Sequence, residues 1–293
     1  MINARTQLYA VIGDPIAHSL SPVMQNWFIH HFDLDAVYTA FHVQQTGLQA
    51  CLNGMKAMGI RGLNVTVPHK EAVLPFVDNR SAEVQQLGAA NTLKLDDGQI
   101  TAHVTDPYGF IESLGEQRER FKDQSVLLFG AGGAAKSVSV ATGTLGIQRL
   151  IVHDVIQEKA EELARLARDV FGVPDAVTLS QLKTELPEIV SQTPIVINAT
   201  AVGMHPQEDR SVIEDMTPVT SNHFFYDLIY NPGKTRFLHL AQQAGAAVQN
   251  GLRMLIFQGL QSLRIWTDRD LQLAPAALLE LETLLKKELG LDG

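Results

Sequence analysis

SVLLFGAGGAA, residues 125–135, decides the fold class. An unbroken run of strand-forming apolar residues stops at Gly130, and a turn of small residues opens directly into a helix-compatible stretch. Gly130, Gly132 and Ala135 make the spacing G-x-G-x-x-A. The first glycine permits the tight turn, the second lets backbone approach a pyrophosphate, and the third small residue allows close helix-to-strand packing. The exposed N–H groups and positive end of the helix then favour an anion. Such a turn also serves purely structural ends, so the strand after it carries the weight. That strand, RLIVH at residues 149–153, ends at Asp154, 24 residues after Gly130. This is near the spacing at which a carboxylate accepts from the hydroxyls of an adenosine ribose. Asp154 is equally placed to cap the next helix, and the two roles are compatible. A nicotinamide dinucleotide is the leading cofactor.

Outward from this turn the alternation continues. EKAEELARLARDVFG (158–172) has a helical period, and PIVINAT (194–200), FFYDLIY (224–230) and AAVQN (246–250) read as further strands. Repeated βα units imply a parallel, doubly wound sheet with right-handed crossovers. Only residues 172–205 lack a clear pattern over most of their length. Upstream, LYAVIGD (8–14), AVYTAFHV (36–43) and IRGLNVTV (60–67) are short strands separated by amphipathic stretches. NTLKL and QITAHV flank Asp96, Asp97 and Gly98, where Asp-Gly supplies the positive φ of a tight hairpin, so the first domain is expected to finish on an antiparallel edge. MLIFQGLQSLRIW (254–266) and APAALLELETLLKKEL (274–289) are apolar-faced helices with no strand after them, expected to pack back on the first domain.

The chain of 293 residues suits two domains. With 45% hydrophobic and 19% charged residues it is neither collagen-like, coiled-coil nor disordered. A net charge of -9 without a basic cluster argues against nucleic acid. The single cysteine, Cys51, makes neither an internal disulfide nor a multi-thiolate zinc site, so no metal is expected and the cytoplasm is the expected location. No apolar run approaches the ~20 residues of a membrane span, and the run from Leu8 to Gly13 has no signal-peptide sequel.

Three polar-before-proline steps remain: Ser21-Pro22 in HSLSP, Asp106-Pro107, and NVTVPHK with Pro68 and Lys70. Each reads alone as a helix opening behind a cap. Ser19 beside Ser21, Asn64 and Thr66 on one face of a strand, and Asn91 after an Ala-rich stretch add hydroxyls and carboxamides of the kind a polyol demands. A helix start flanked by two hydroxyls suits a carboxylate. Lys70 and Asp106 are the titratable pair: if they meet, the lysine exchanges a proton with a substrate hydroxyl while the carboxylate holds its charge. That is what an alcohol dehydrogenase lacking zinc requires.

GDPIAHSLSP, GLNVTVPHK, GAANTL, TDPYGF, GAGGAAKS, NATAVGM, YDLIYNP and GLRMLIFQG, in this order, make the chain resemble the shikimate dehydrogenase family, shikimate or quinate dehydrogenases, almost end to end. The resemblance implies an α/β substrate domain of residues 1–106 completed by helices in 252–293, a Rossmann domain of residues 107–251, and an active site in the cleft between them. It implies that Ser19 and Ser21 bind the substrate carboxylate, that Asn64, Thr66, Asn91, Asp106 and Gln258 contact ring hydroxyls, and that Lys70 and Asp106 are the catalytic dyad. Tyr230 would approach the substrate from the cofactor domain; Gly130, Gly132, Gly133, Ala134, Ala135 and Asp154 would hold the dinucleotide, with Asn198, Thr200 and Gly203 beside the nicotinamide ribose. Two departures stand out. Val104-Thr105-Asp106 replaces the family's usual Asn-Thr-Asp, and His153-Asp154-Val155 stands where NADP-using members commonly have Asn-Arg-Thr. NAD is therefore expected over NADP, because a 2′-phosphate would meet like charge. The expected activity is interconversion of 3-dehydroshikimate and shikimate by a monomer or homodimer. Quinate dehydrogenation is the alternative within the class, and a non-catalytic ligand sensor the alternative outside it.

Overall fold

A computed structural model describes residues 2–179 and 182–291. In chain order its elements are β1 (Gln7–Gly13), α1 (Ser21–His31), β2 (Ala36–His42), α2 (Leu48–Met58), β3 (Gly62–Val65), α3 (His69–Ala72), β4 (Asn79–Arg80), α4 (Ala82–Leu87), β5 (Thr92–Asp96), β6 (Gln99–His103) and α5 (Asp106–Ser113). Next come β7 (Ser125–Phe129), α6 (Gly133–Thr144), β8 (Arg149–His153), α7 (Gln157–Asp169), β9 (Asp175–Thr178), α8 (Leu182–Gln192), β10 (Ile195–Asn198), β11 (Phe224–Asp227), α9 (Arg236–Gln243), β12 (Ala247–Asn250), α10 (Leu252–Thr267) and α11 (Pro275–Glu288). The chain divides into two compact units, Met1–Gly109 with Ile256–Asp292, and Phe110–Leu255. The divisions fall inside α5 and α10, a few residues beyond the domain limits expected from sequence. Among the described residues no helix is long and apolar enough to cross a membrane.

The first unit holds a six-stranded sheet in the order β2-β1-β3-β5-β6-β4. β1 pairs parallel with β2 and with β3, and β3 pairs antiparallel with β5. The β5–β6 hairpin turns on Asp97 and Gly98, both at positive φ (45° and 76°), as the Asp-Gly step requires. The expected antiparallel edge is corrected: β4, two residues long, adds parallel to β6 and becomes the edge. So short a strand carries too little pattern to be seen in sequence. One face of the sheet closes over Ala10, Ile12, Leu52, Met55, Leu63, Val65, Leu93 and Ile100. Val104, at the family's asparagine position, packs against this same cluster. From Ile256 onward the C-terminal helices lie in this unit: α11 contacts α1, and α10 brings the Trp266 indole to the Leu93 carbonyl (2.9 Å) and stacks it on Tyr9.

The second unit has the order β12-β11-β10-β7-β8-β9, all parallel. Read from the other edge this is 3-2-1-4-5-6, the doubly wound dinucleotide-binding order, whose direction of winding reverses between β7 and β10. IVIN and FFYD are buried at every position because helices cover both faces, which is why they read as continuous apolar runs rather than alternating ones. Within the unpatterned stretch the structure adds β9 and α8; α8 carries Pro187 in its interior, which blurs the helical signal.

Candidate functional site

In the first unit the C-terminal ends of β1 and β3 lie at the point where the strand order reverses, the place where parallel sheets leave a crevice. The loop after β1 carries Ser19, and α1 begins at Ser21. The capping expectation for Ser21 is corrected: Leu20 occupies the cap position without a side-chain bond, Ser21 is the first helical residue and Pro22 the second. The Ser19 hydroxyl instead takes the Ser21 N–H (3.2 Å), so it is Ser19 that satisfies a donor at the helix start. Pro68 is likewise not inside a helix but caps α3, which places Lys70 second in that short helix.

Lys70 donates to Asp106 Oδ2 at 2.5 Å, so the pair that sequence could only name is in direct contact. Asp106 opens α5, and its carboxylate faces away from a capping role: Oδ2 takes Lys70 and Oδ1 takes the Asn91 side-chain amide at 2.8 Å. Asp106 is buried, and Lys70 half-buried with its own carbonyl held by the Ala90 N–H. The convergence arises from sheet direction. β3 runs toward this end, β5 starts at it and β6 returns to it, so residues far apart in sequence end together.

Asn91 is the hub of the cluster. Its Nδ2 donates to Thr105 Oγ1, Asp106 Oδ1 and Gln258 Oε1 (2.9, 2.8 and 3.3 Å), and its Oδ1 accepts from Thr105 N and Thr92 Oγ1 (2.8 and 3.1 Å). Asn64 is similarly committed: Nδ2 donates to the Asn91 carbonyl, Thr92 Oγ1 and Ser262 Oγ, while Oδ1 accepts from the Tyr38 hydroxyl. Both carboxamides thus also orient their neighbours. Thr66 lies one residue past β3, half-exposed, with its methyl against Gly13. Tyr38, Thr92, Thr105 and Ser262 were not singled out from sequence. For Ser262 a signal existed, its spacing of one helical turn from Gln258 on α10. For Tyr38 there was none beyond strand alternation.

A cavity of about 520 Å³ opens at the opposite ends of these strands, lined by Arg5, Tyr9, Arg61, Lys94, Trp266 and Asp268 among others. It contains none of the candidate residues, mixes both signs of charge, and offers almost no ring surface, Tyr9 and Trp266 being 1% and 5% exposed.

In the second unit Gly130 has φ +103°, and a Cβ there would lie 3.0 Å from the Ala199 carbonyl oxygen, so a side chain at this position is both strained and crowded. Gly132, the cap residue of α6, and Gly133 and Ala134, its first helical residues, are exposed, while Ala135 is buried against the sheet. Asp154 does not cap α7, whose cap residue is Ile156. Its carboxylate instead bridges the turn to the strand end, Oδ2 accepting from Ala131 N (2.8 Å) and Oδ1 from Ile156 N (2.9 Å). A carboxylate has about four acceptor sites, which leaves two for other donors.

The segment after β10 is held from within. The buried Asn198 donates to the Val202 carbonyl and to Asp227 Oδ1, and its Oδ1 accepts from the Thr200 N–H and hydroxyl. Asn198 thus organises its own loop. Gly203 comes next at φ +104°, packed on Thr235. Asp227, missed in sequence although YDLIYNP contains it, is fully buried and accepts from Asn198 Nδ2, Ile229 N and Thr235 Oγ1 (3.0, 3.1 and 2.6 Å). Burial pushes its carboxyl up to about 6 against these bonds, which pull the other way. Tyr230 is half-buried, and its phenol is likewise pushed up by burial.

A family model described as the shikimate dehydrogenase substrate binding domain matches residues 11–93. A curated shikimate dehydrogenase (NADP(+)) of Carboxydothermus hydrogenoformans is 38% identical over 266 residues, 91% of this chain and 93% of that one. Among solved structures, shikimate 5-dehydrogenase of Listeria monocytogenes in complex with shikimate and NAD superposes with a TM-score of 0.88 at 30% identity, covering 97% and 98% of the two chains. Quinate dehydrogenase of Corynebacterium glutamicum in complex with NAD gives a TM-score of 0.85 at 30% identity, covering 96% and 99%.

Proposed function

This chain belongs to the shikimate dehydrogenase family, and from that premise we propose that it interconverts 3-dehydroshikimate and shikimate with a nicotinamide dinucleotide. The observation that carries the reading is the 2.5 Å contact of Lys70 with Asp106 inside a cluster of carboxamides and hydroxyls. In this reading the first unit takes the substrate and the second the dinucleotide. The exposed turn at Gly132–Ala134, with a glycine where a side chain would be strained at Gly130, fits a pyrophosphate, and the bound cofactor supplies the hydride donor or acceptor.

The chain's own residues do the rest. Lys70 gives a proton to the substrate oxygen in reduction and takes it back in oxidation. Asp106 holds the ammonium beside that oxygen and offsets its charge, and Asn91 fixes Asp106 by occupying the other carboxylate oxygen. Ser19 and Ser21 hold the substrate carboxylate, with Asn64, Thr66 and Gln258 on ring hydroxyls. Gly203 and the loop braced by Asn198 and Thr200 flank the nicotinamide ribose.

NAD over NADP is the finer part of the proposal, and Asp154 supports it. Its carboxylate has acceptor capacity left for ribose hydroxyls and would repel a 2′-phosphate. The next two residues, Val155 and Ile156, are exposed and uncharged (95% and 44%), and Arg149, at the far end of β8, is paired with Asp175 at 3.0 Å. A cytoplasmic location, resting on the lone thiol of Cys51, belongs to the same proposal. Steady-state assays with shikimate and with quinate, each against NAD and NADP, test the whole reading. Turnover with shikimate and NAD as the best pair supports it. Quinate as the better substrate moves the activity within the family, and binding without turnover for all four pairs makes the protein a sensor.

A further inference from the structure

We propose that Tyr38 is a specificity-determining positioning residue, which sets the orientation of the Asn64 carboxamide and ties it to α1; this rests on the substrate-site reading of the first unit. Tyr38 is 3% exposed and its hydroxyl donates to Asn64 Oδ1 at 2.8 Å. On the other side of the same amide, Nδ2 donates to the Asn91 carbonyl (3.1 Å), which can only accept, and to the hydroxyls of Thr92 and Ser262 (3.3 and 3.0 Å). The amide's orientation is therefore dictated from both ends, and what Asn64 has left for a ligand is the second lone pair of Oδ1. It is an acceptor for a substrate hydroxyl, and Tyr38, on the other lone pair, fixes the direction in which it is offered.

The phenol is itself held. β2 is an edge strand, with one side of its backbone unpaired, and Asn26 of α1 fills that side at Tyr38: Asn26 Nδ2 donates to the Tyr38 carbonyl (2.8 Å) and Asn26 Oδ1 accepts the Tyr38 N–H (3.0 Å). This pair of hydrogen bonds fixes α1, which begins at Ser21, against the strand that carries the phenol. Tyr38 thus links α1, whose first residue is Ser21, to a group assigned to the ring hydroxyls.

Tyr38→Phe keeps the ring and removes only the hydroxyl, leaving Asn64 Oδ1 without its buried donor. The experiment compares wild type, Tyr38→Phe, Asn64→Ala and the double variant, measuring KM for shikimate, KM for the dinucleotide, kcat and the thermal midpoint. Tyr38→Phe is expected to raise the shikimate KM roughly tenfold, with kcat within about twofold and the dinucleotide KM unchanged. In the Asn64→Ala background the same substitution is expected to change the shikimate KM by less than about twofold, because the group it acts through is gone. An unchanged shikimate KM in Tyr38→Phe overturns the inference. So does an equal effect in both backgrounds, which marks a structural loss independent of Asn64. Asn64→Ala with a wild-type shikimate KM overturns the substrate-site reading itself and the inference with it. Asn64→Ala impaired and Tyr38→Phe silent overturns the inference alone.

Discussion

Replacing Asp227 by Asn should make the protein more stable at neutral pH and leave it nearly unchanged in acid. Asp227 is fully buried, and its carboxyl is pushed up to about 6 from an ordinary 3.8. Because the folded value lies above the unfolded one, the native state binds the extra proton between those two pH values. Its stabilising effect is complete below about pH 3.8, is lost as pH rises toward 6, and does not change further above that. At ~1.4 kcal/mol per pH unit between the two values, ionised Asp227 costs the native state about 3 kcal/mol at pH 7, roughly half of it already present at pH 5. Asparagine fits the same space. Its oxygen can accept from Asn198 and Ile229 as Oδ1 does now, and its NH2 can donate to Thr235, whose hydroxyl need only rotate. The assay is urea unfolding of both proteins at half-unit steps from pH 4 to 8. The variant's advantage should grow from below ~1 kcal/mol near pH 4 to a plateau of about 3 kcal/mol above pH 6.5. Two stability curves running parallel across that range would refute the argument, since groups common to both proteins cancel in the difference.

Lys70→Ala should lower kcat by ~10²-fold or more with a smaller change in KM, and single-turnover rates check it; near wild-type kcat removes the lysine from the proton transfer. Ser21→Ala should raise KM for shikimate while moving the thermal midpoint little, because its side chain caps no helix donor; Ser19→Ala, which frees the Ser21 N–H, should cost ~0.5–1 kcal/mol of stability by denaturant titration. In Asp154→Ala the ratio of kcat/KM for NAD to that for NADP should fall at least tenfold, and a ratio that does not move toward NADP shows the carboxylate serves only to brace Ala131 and Ile156. Gly130→Ala should destabilise by about 1–3 kcal/mol and abolish dinucleotide binding by calorimetry, since the new Cβ meets the Ala199 carbonyl in a left-handed backbone.

What the sequence determined by itself was local. The G-x-G-x-x-A turn, the apolar runs buried on both faces and the Asp-Gly hairpin each carry their geometry in adjacent residues, because turn conformation and strand burial are set within a few positions. Lys70 and Asp106 could be named from residue type and setting, as could Asp154. Only the tertiary structure decided that Lys70 touches Asp106, 36 residues away, because that depends on three strands of differing direction ending together. It also decided which polar groups were already taken. Asn91 and Asn64 are oriented by Thr105, Ser262 and Tyr38, Asn198 by its own loop and Asp227, and Ser21 yields the helix-start contact to Ser19. A side chain's chemistry is written in its residue type, but its free valences depend on neighbours that the fold brings from far along the chain, 198 positions away for Asn64 and Ser262, and no local pattern encodes them.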